Sequence, residues 1–113
     1  MVALLKRAVL VAGESQESKS FYMACVAKRA DGAIVQSVNH CVSSQCIPEH
    51  HAEARVLRKC DHGAILYVAR VHKDRTTVAQ AKPCRRCQAL IRHHGVKRVY
   101  YTIGPNEWGV WIP

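Results

Sequence analysis

A chain of 113 residues, nearly half of them hydrophobic and without long Ser, Gln or Pro tracts, has the size and composition of one folded domain spanning residues 1–113, not of a disordered tail or a multi-domain array. A formal charge of +9 favours anionic partners, whether nucleotide phosphates or a polynucleotide backbone, although many Lys and Arg residues serve only to solvate a surface. No stretch is apolar and long enough to cross a bilayer, and six cysteines without a secretory leader fit a reducing compartment, with the cytoplasm as the expected location.

Leu4, Leu5, Ala8, Val9 and Ala12 recur at helical spacing, so the spacing predicts a helix over 2–12 that stops near Gly13. Lys6-Arg7 interrupts its apolar face, and no small-residue cleavage pattern follows, so the segment reads as an amphipathic helix rather than a signal peptide. Phe21 to Lys28 and Ala33 to Val38 read as two strands joined by the Asp31-Gly32 turn, an antiparallel hairpin. The polar stretch His40 to Glu49, with Pro48, reads as a loop, and a helix from His50 to Lys59 follows it.

Ala64 to Val71 is almost continuously apolar, the pattern of a strand covered on both faces. After a charged loop at 72–77, Pro83 suits the first turn of a helix running to His94, with Gly95 as its stop. Val96 to Thr102 reads as a strand, Gly104-Pro105-Asn106 as a turn, and Trp108 to Ile112 as a last short strand. The order predicts an α/β fold, a three-layer αβα sandwich on a five-stranded mixed sheet. The last connection is too short for a helix, so the final two strands should pair antiparallel.

Two motifs carry chemistry. His51-Ala52-Glu53 offers an imidazole and a carboxylate two positions apart, and Pro83-Cys84-Arg85-Arg86-Cys87 offers two thiols one helical turn apart. Three protein ligands with one open position is the arrangement of a catalytic zinc ion, and His51, Cys84 and Cys87 supply three. Helix starts favour ionised thiols, so both cysteines suit thiolate ligation, and backbone amides near Ala52 and Cys84 can steady a polarised substrate.

H-x-E joined to P-C-x-x-C is the known signature of zinc deaminases, and on these residues the chain resembles the cytidine deaminase superfamily over essentially its whole length. The resemblance implies Zn2+ as cofactor and Glu53 as the catalytic proton carrier, which protonates the ring nitrogen, takes a proton from the attacking water and passes one to departing ammonia. It implies a zinc-dependent hydrolase of the cytidine or deoxycytidylate type, acting on a small nucleoside or nucleotide, and a homo-oligomeric assembly. The antiparallel ending is similar to that of the free-nucleoside division of the family. Asn39 matches the asparagine that reaches base or ribose, while Arg85 and Arg86 beside the ligands are the candidates for a phosphate contact. The stretch after Asn39, His40-Cys41-Val42-Ser43, lacks the acid that ordinary cytidine deaminases place there for a sugar hydroxyl.

Competing readings are a deaminase of single-stranded DNA or RNA, suggested by the basic charge and the terminal aromatic residues, and a non-catalytic module stabilised by zinc. His50 is read as solvated, Cys25 and Cys60 as buried thiols, and Cys41, Cys46, His40 and His62 as loop or core positions rather than a second metal site. Trp108, Trp111, Tyr100 and Tyr101 stack on a base or bury in the sheet or at a subunit interface, and Arg55 serves either the site or the surface.

Overall fold

The computed structural model describes residues 1–15, 22–40 and 51–113. The elements run α1 (Ala3–Gly13), β1 (Tyr22–Lys28), β2 (Ile34–Val38), α2 (Ala52–Leu57), β3 (Ile65–Val71), β4 (Val78–Ala79), α3 (Arg85–His93), β5 (Arg98–Gly104) and β6 (Glu107–Trp111). The expected starts at Phe21 and His50, the loop from Cys41 to Glu49, and Cys41 and Cys46 lie outside the described residues.

One mixed sheet has the order β2-β1-β3-β5-β6. Among the described residues β3 and β5 pair parallel, whereas β1–β2, β1–β3, β3–β4 and β5–β6 are antiparallel. The five expected strands make up the sheet's path, and β4 adds a further two-residue strand against the end of β3. So short a pairing leaves no period in the sequence to read.

Helices cover both faces of the sheet, and the alternation along β1 sorts them. Ala24 and Val26 pack with Ala8 and Ala12 of α1, while Cys25 and Ala27 join the other layer with Val56, Leu57 and Ile91. Leu57, Leu66 and Ile91 are among the largest fully buried side chains, each contributing on the order of 1.5–3 kcal/mol by burial. They pin α2 and α3 to the same side of β3, which is what lets the two helix starts meet.

The local signals act much as expected, with two displacements. Asp31 Oδ1 accepts from the Ala33 amide and Gly32 takes φ +91°, closing the first hairpin. Gly95, at φ +66°, ends α3 with paired bonds from its own amide to Arg92 O and from the Val96 amide to Ile91 O, a Schellman closure. Closing the helix uses Val96, and the Lys97 amide bonds Ala64 O, so β5 begins at Arg98, two residues later than expected. Pro83 stands before the N-cap and not inside the first turn. The α2 helix is also shorter than its pattern suggests, ending at Leu57.

Candidate metal centre and catalytic carboxylate

His51 and Cys84 occupy equivalent positions, each the N-cap of its helix with extended backbone, φ −68° and ψ 150° for His51, φ −67° and ψ 167° for Cys84. The N-cap is where the chain turns into the helix, so a side chain there projects past the helix end instead of along its flank. Cys87 follows within the first turn of α3 and is buried.

The entry to α3 is braced from two sides. Gln88 donates from Nε2 to Pro83 O and from its amide to Cys84 O. Upstream, the Ala81 amide donates to Thr102 O, and the buried Thr102 hydroxyl donates to Ala79 O. These bonds tie the segment leading to the cysteines onto β5. Neither Gln88 nor Thr102 stands out in the sequence. Gln88 carries the weak signal of lying four residues after Cys84, whereas Thr102 carries none.

The geometry brings the two motifs together. His51 Nδ1 lies 3.7 Å from Cys84 Sγ and 3.4 Å from Cys87 Sγ. Zinc bonds of about 2.3 Å to sulfur and about 2.0–2.1 Å to nitrogen, at tetrahedral angles, separate such atoms by roughly 3.5 Å. The ligand atoms of His51, Cys84 and Cys87 lie within 4.8 Å of one another, and no further His, Cys, Asp or Glu joins this group among the described residues. Two sulfurs and one imidazole nitrogen suit Zn2+ among the biological cations. Burial and the neighbouring Glu53 and Cys84 push the Cys87 thiol far above its ordinary range, so it needs a cation beside it to ionise.

Glu53 is the second residue of α2, 1% exposed, and its Oε1 has no hydrogen-bond partner among the described residues. Burial pushes its carboxyl up to about 7, partly opposed by a bond from its own backbone amide. A carboxyl poised there can hold a proton or release it near neutral pH, as a general acid–base group must. The buried Cys25 thiol is likewise pushed up by burial and by the charge of Glu53, which places it on the core side of the same site.

The remaining expected residues sit at different distances from this centre. Asn39 follows β2 and is fully buried; its Oδ1 accepts from the Met23 amide and its own amide donates to Met23 O. Arg55 joins that strand end to α2 by donating from Nη1 to Val38 O at 2.6 Å. Ala52 is buried between His51 and Glu53, while Arg85 and Arg86 are exposed on the first turn of α3. Cys60 is half-buried, not fully buried as expected. Trp111 packs half-buried against the core with Arg92 5.1 Å above its ring, and Tyr101 packs beside it; Trp108 is exposed. A cleft of about 400 Å³ between α1 and the β5–β6 turn, lined by Met1, Val9, Leu10, Val78 and Pro105, contains none of the site residues.

Comparison with known proteins agrees with this geometry. The family model described as the cytidine and deoxycytidylate deaminase zinc-binding region matches residues 2–103. No curated protein matches the chain.

Proposed function

The chain belongs to the cytidine and deoxycytidylate deaminase zinc-binding family, and on that premise we propose that residues 1–113 form one hydrolytic deaminase domain acting on a cytosine-type nucleoside or nucleotide. The observation that carries this reading is Glu53, a buried carboxyl whose Oε1 has no partner among the described residues, two residues from His51 at the start of α2. A structural zinc site has no use for such a group, and the three ligand atoms that gather among the described residues are the number a hydrolytic zinc site takes from the protein.

His51, Cys84 and Cys87 would hold the zinc, which supplies a Lewis acid that makes water nucleophilic near neutral pH. Glu53 delivers a proton to the ring nitrogen and collects one from the attacking water. The new bond joins the water oxygen to the amine-bearing carbon. Glu53 then hands a proton to the amine, the C–N bond breaks, ammonia leaves with both electrons of that bond, and the new hydroxyl returns its proton to Glu53 as it becomes the product carbonyl. Asn39 and Ala52 line the substrate side. Arg85 and Arg86 meet a phosphate where the substrate has one, by charge-assisted hydrogen bonds. The antiparallel β5–β6 ending supports a place beside the free-nucleoside division, and the missing acid after Asn39 favours a substrate that does not depend on that sugar contact.

Ammonia release from a panel of cytosine, adenine and guanine nucleosides and nucleotides tests the reading. Turnover of a cytosine compound that disappears in Glu53→Ala is the expected result. A zinc-loaded protein that converts no member of the panel overturns the small-molecule substrate, and activity surviving Glu53→Ala overturns the mechanism.

One observation favours a second reading. Lys82, Arg85 and Arg86 are all exposed around the cysteine pair, as a polynucleotide backbone entering the site would require. Binding of single-stranded DNA or RNA that falls steeply with added salt supports it, since each neutralised phosphate adds to the salt slope. A cytoplasmic location and a homo-oligomeric assembly complete the proposal; a strictly monomeric mass in solution contradicts the assembly.

A further inference from the structure

The two edges of the sheet are finished differently. In β2 the bonds from Arg29 N–H to Ala33 O and from Asn39 N–H to Met23 O set the parity, so that Gln36 and Val38 turn their carbonyls away from β1. Both are occupied: Lys59 Nζ donates to Gln36 O at 2.7 Å and Arg55 Nη1 donates to Val38 O. Arg7 adds two bonds to the Gln36 side chain from the opposite face. Charged side chains capping an edge are how proteins prevent strand addition.

The β6 edge has none of this. Among the described residues no side chain hydrogen-bonds to the backbone of β6, and no Lys or Arg occurs from Val99 to Pro113, where Glu107 is the one charged residue. Alternate residues on the α1 face of this strand are apolar and open: Trp108 is 39% exposed, Val110 49% and Ile112, just beyond the strand, 65%. The helix α1 packs mainly on β1 and β3, with a lesser contact to β5.

We propose that β6 is the contact between two copies of this chain, the two edge strands pairing antiparallel about a two-fold axis at Gly109. This deepens the homo-oligomer reading by naming its surface, and it is independent of the deaminase chemistry. A second copy suits the edge because a contact that repeats on itself must be self-complementary, and the sequence around Gly109 is. Pairing about Gly109 sets Trp108 of each copy against Val110 of the other on the α1 face, and Glu107 against Trp111 on the α3 face. Arg92 stands over the Trp111 ring, so the Glu107 carboxylate of one copy meets the Arg92 guanidinium of the other. The charge logic also selects the region, since two chains of +9 repel wherever their basic surfaces face each other, and β6 is free of cations.

Sedimentation of the zinc-loaded protein across the micromolar range, with ammonia release measured on the same samples, tests the proposal. The expected result is a mass near twice 12.6 kDa. Val110→Lys, at an exposed position, should weaken association by at least about tenfold with an unchanged circular dichroism spectrum. Glu107→Arg and Arg92→Glu should each weaken it, and the double variant should recover it. A wild-type protein monomeric throughout the range overturns the proposal. So does an oligomer that tolerates Val110→Lys, a double variant no better than the single ones, or an oligomer broken instead by Leu10→Lys on α1. Failure to release ammonia with the dimer intact counts against the deaminase reading alone.

Discussion

The β2 side of the molecule and the β5–β6 hairpin are built from one sheet, yet their residues are engaged to very different extents. At the β2 end, Arg55 and Lys59 hold the strand's outward carbonyls, Asn39 clasps Met23, and the same short helix carries Glu53 into the core and begins at His51. In the hairpin, Tyr101 lies over Gly109 and Trp111 lies under Arg92, but the α1-side row of β6 meets little of its own chain. The difference teaches that α2 serves two ends, closing an edge and presenting the carboxylate, whereas β6 contributes a surface.

That contrast yields graded expectations. The largest effect belongs to Glu53→Gln, which keeps the shape of the side chain and removes its proton transfer; turnover should fall by about 10²–10⁴-fold with zinc content retained. Equal activity in the variant and the parent would break the assignment of the β2 side as the chemical end.

Next is the pH dependence of the metal-free protein. The folded Glu53 carboxyl titrates at about 7, above its ordinary 4.5, so between those pH values the native chain keeps a proton that the unfolded chain has released. Stability contributed by the protonated group is complete below about 4.5 and is lost as pH rises through 7, by about 3 kcal/mol in all. Denaturant melts of metal-free protein at several pH values should show this fall, and Glu53→Gln should flatten it. A slope that persists in the variant would assign it to another group.

Smaller is Arg55→Met, which takes a charge-assisted bond from Val38 O and should cost about 1.5–3 kcal/mol, with KM raised more than kcat is lowered because Asn39 follows that carbonyl. An unaltered KM in a folded variant would separate the strand end from the site. Smallest is Val110→Lys, expected within about 0.5 kcal/mol for the monomer because the position is half open. A large loss of stability at monomer concentrations would show that the hairpin is more integrated than its exposure indicates.

The element order was legible from periodicity and punctuation. Gly95 ended α3, α1 stopped at the expected Gly13, Asp31-Gly32 made the turn, and alternating apolar runs gave the strands, because each of these signals acts over a few residues. The misreadings lie where a non-local partner intervenes. The β4 strand exists through its pairing with β3, Pro83 was displaced to the entry loop, and β5 began late because Val96 and Lys97 bond elsewhere.

The sequence by itself determined the donor set and its chemistry, since H-x-E and P-C-x-x-C specify ligand types and their spacing at two helix starts. Only the tertiary structure decided that His51 Nδ1 lies within 3.7 Å of both sulfurs, and that, among the described residues, Glu53 is buried without a partner for Oε1 and side chains cap one sheet edge but not the other. The physical reason is range. Ligand identity and helix capping are properties of neighbouring residues, whereas burial, desolvation and the capping of an edge depend on which distant segments the packed core brings alongside.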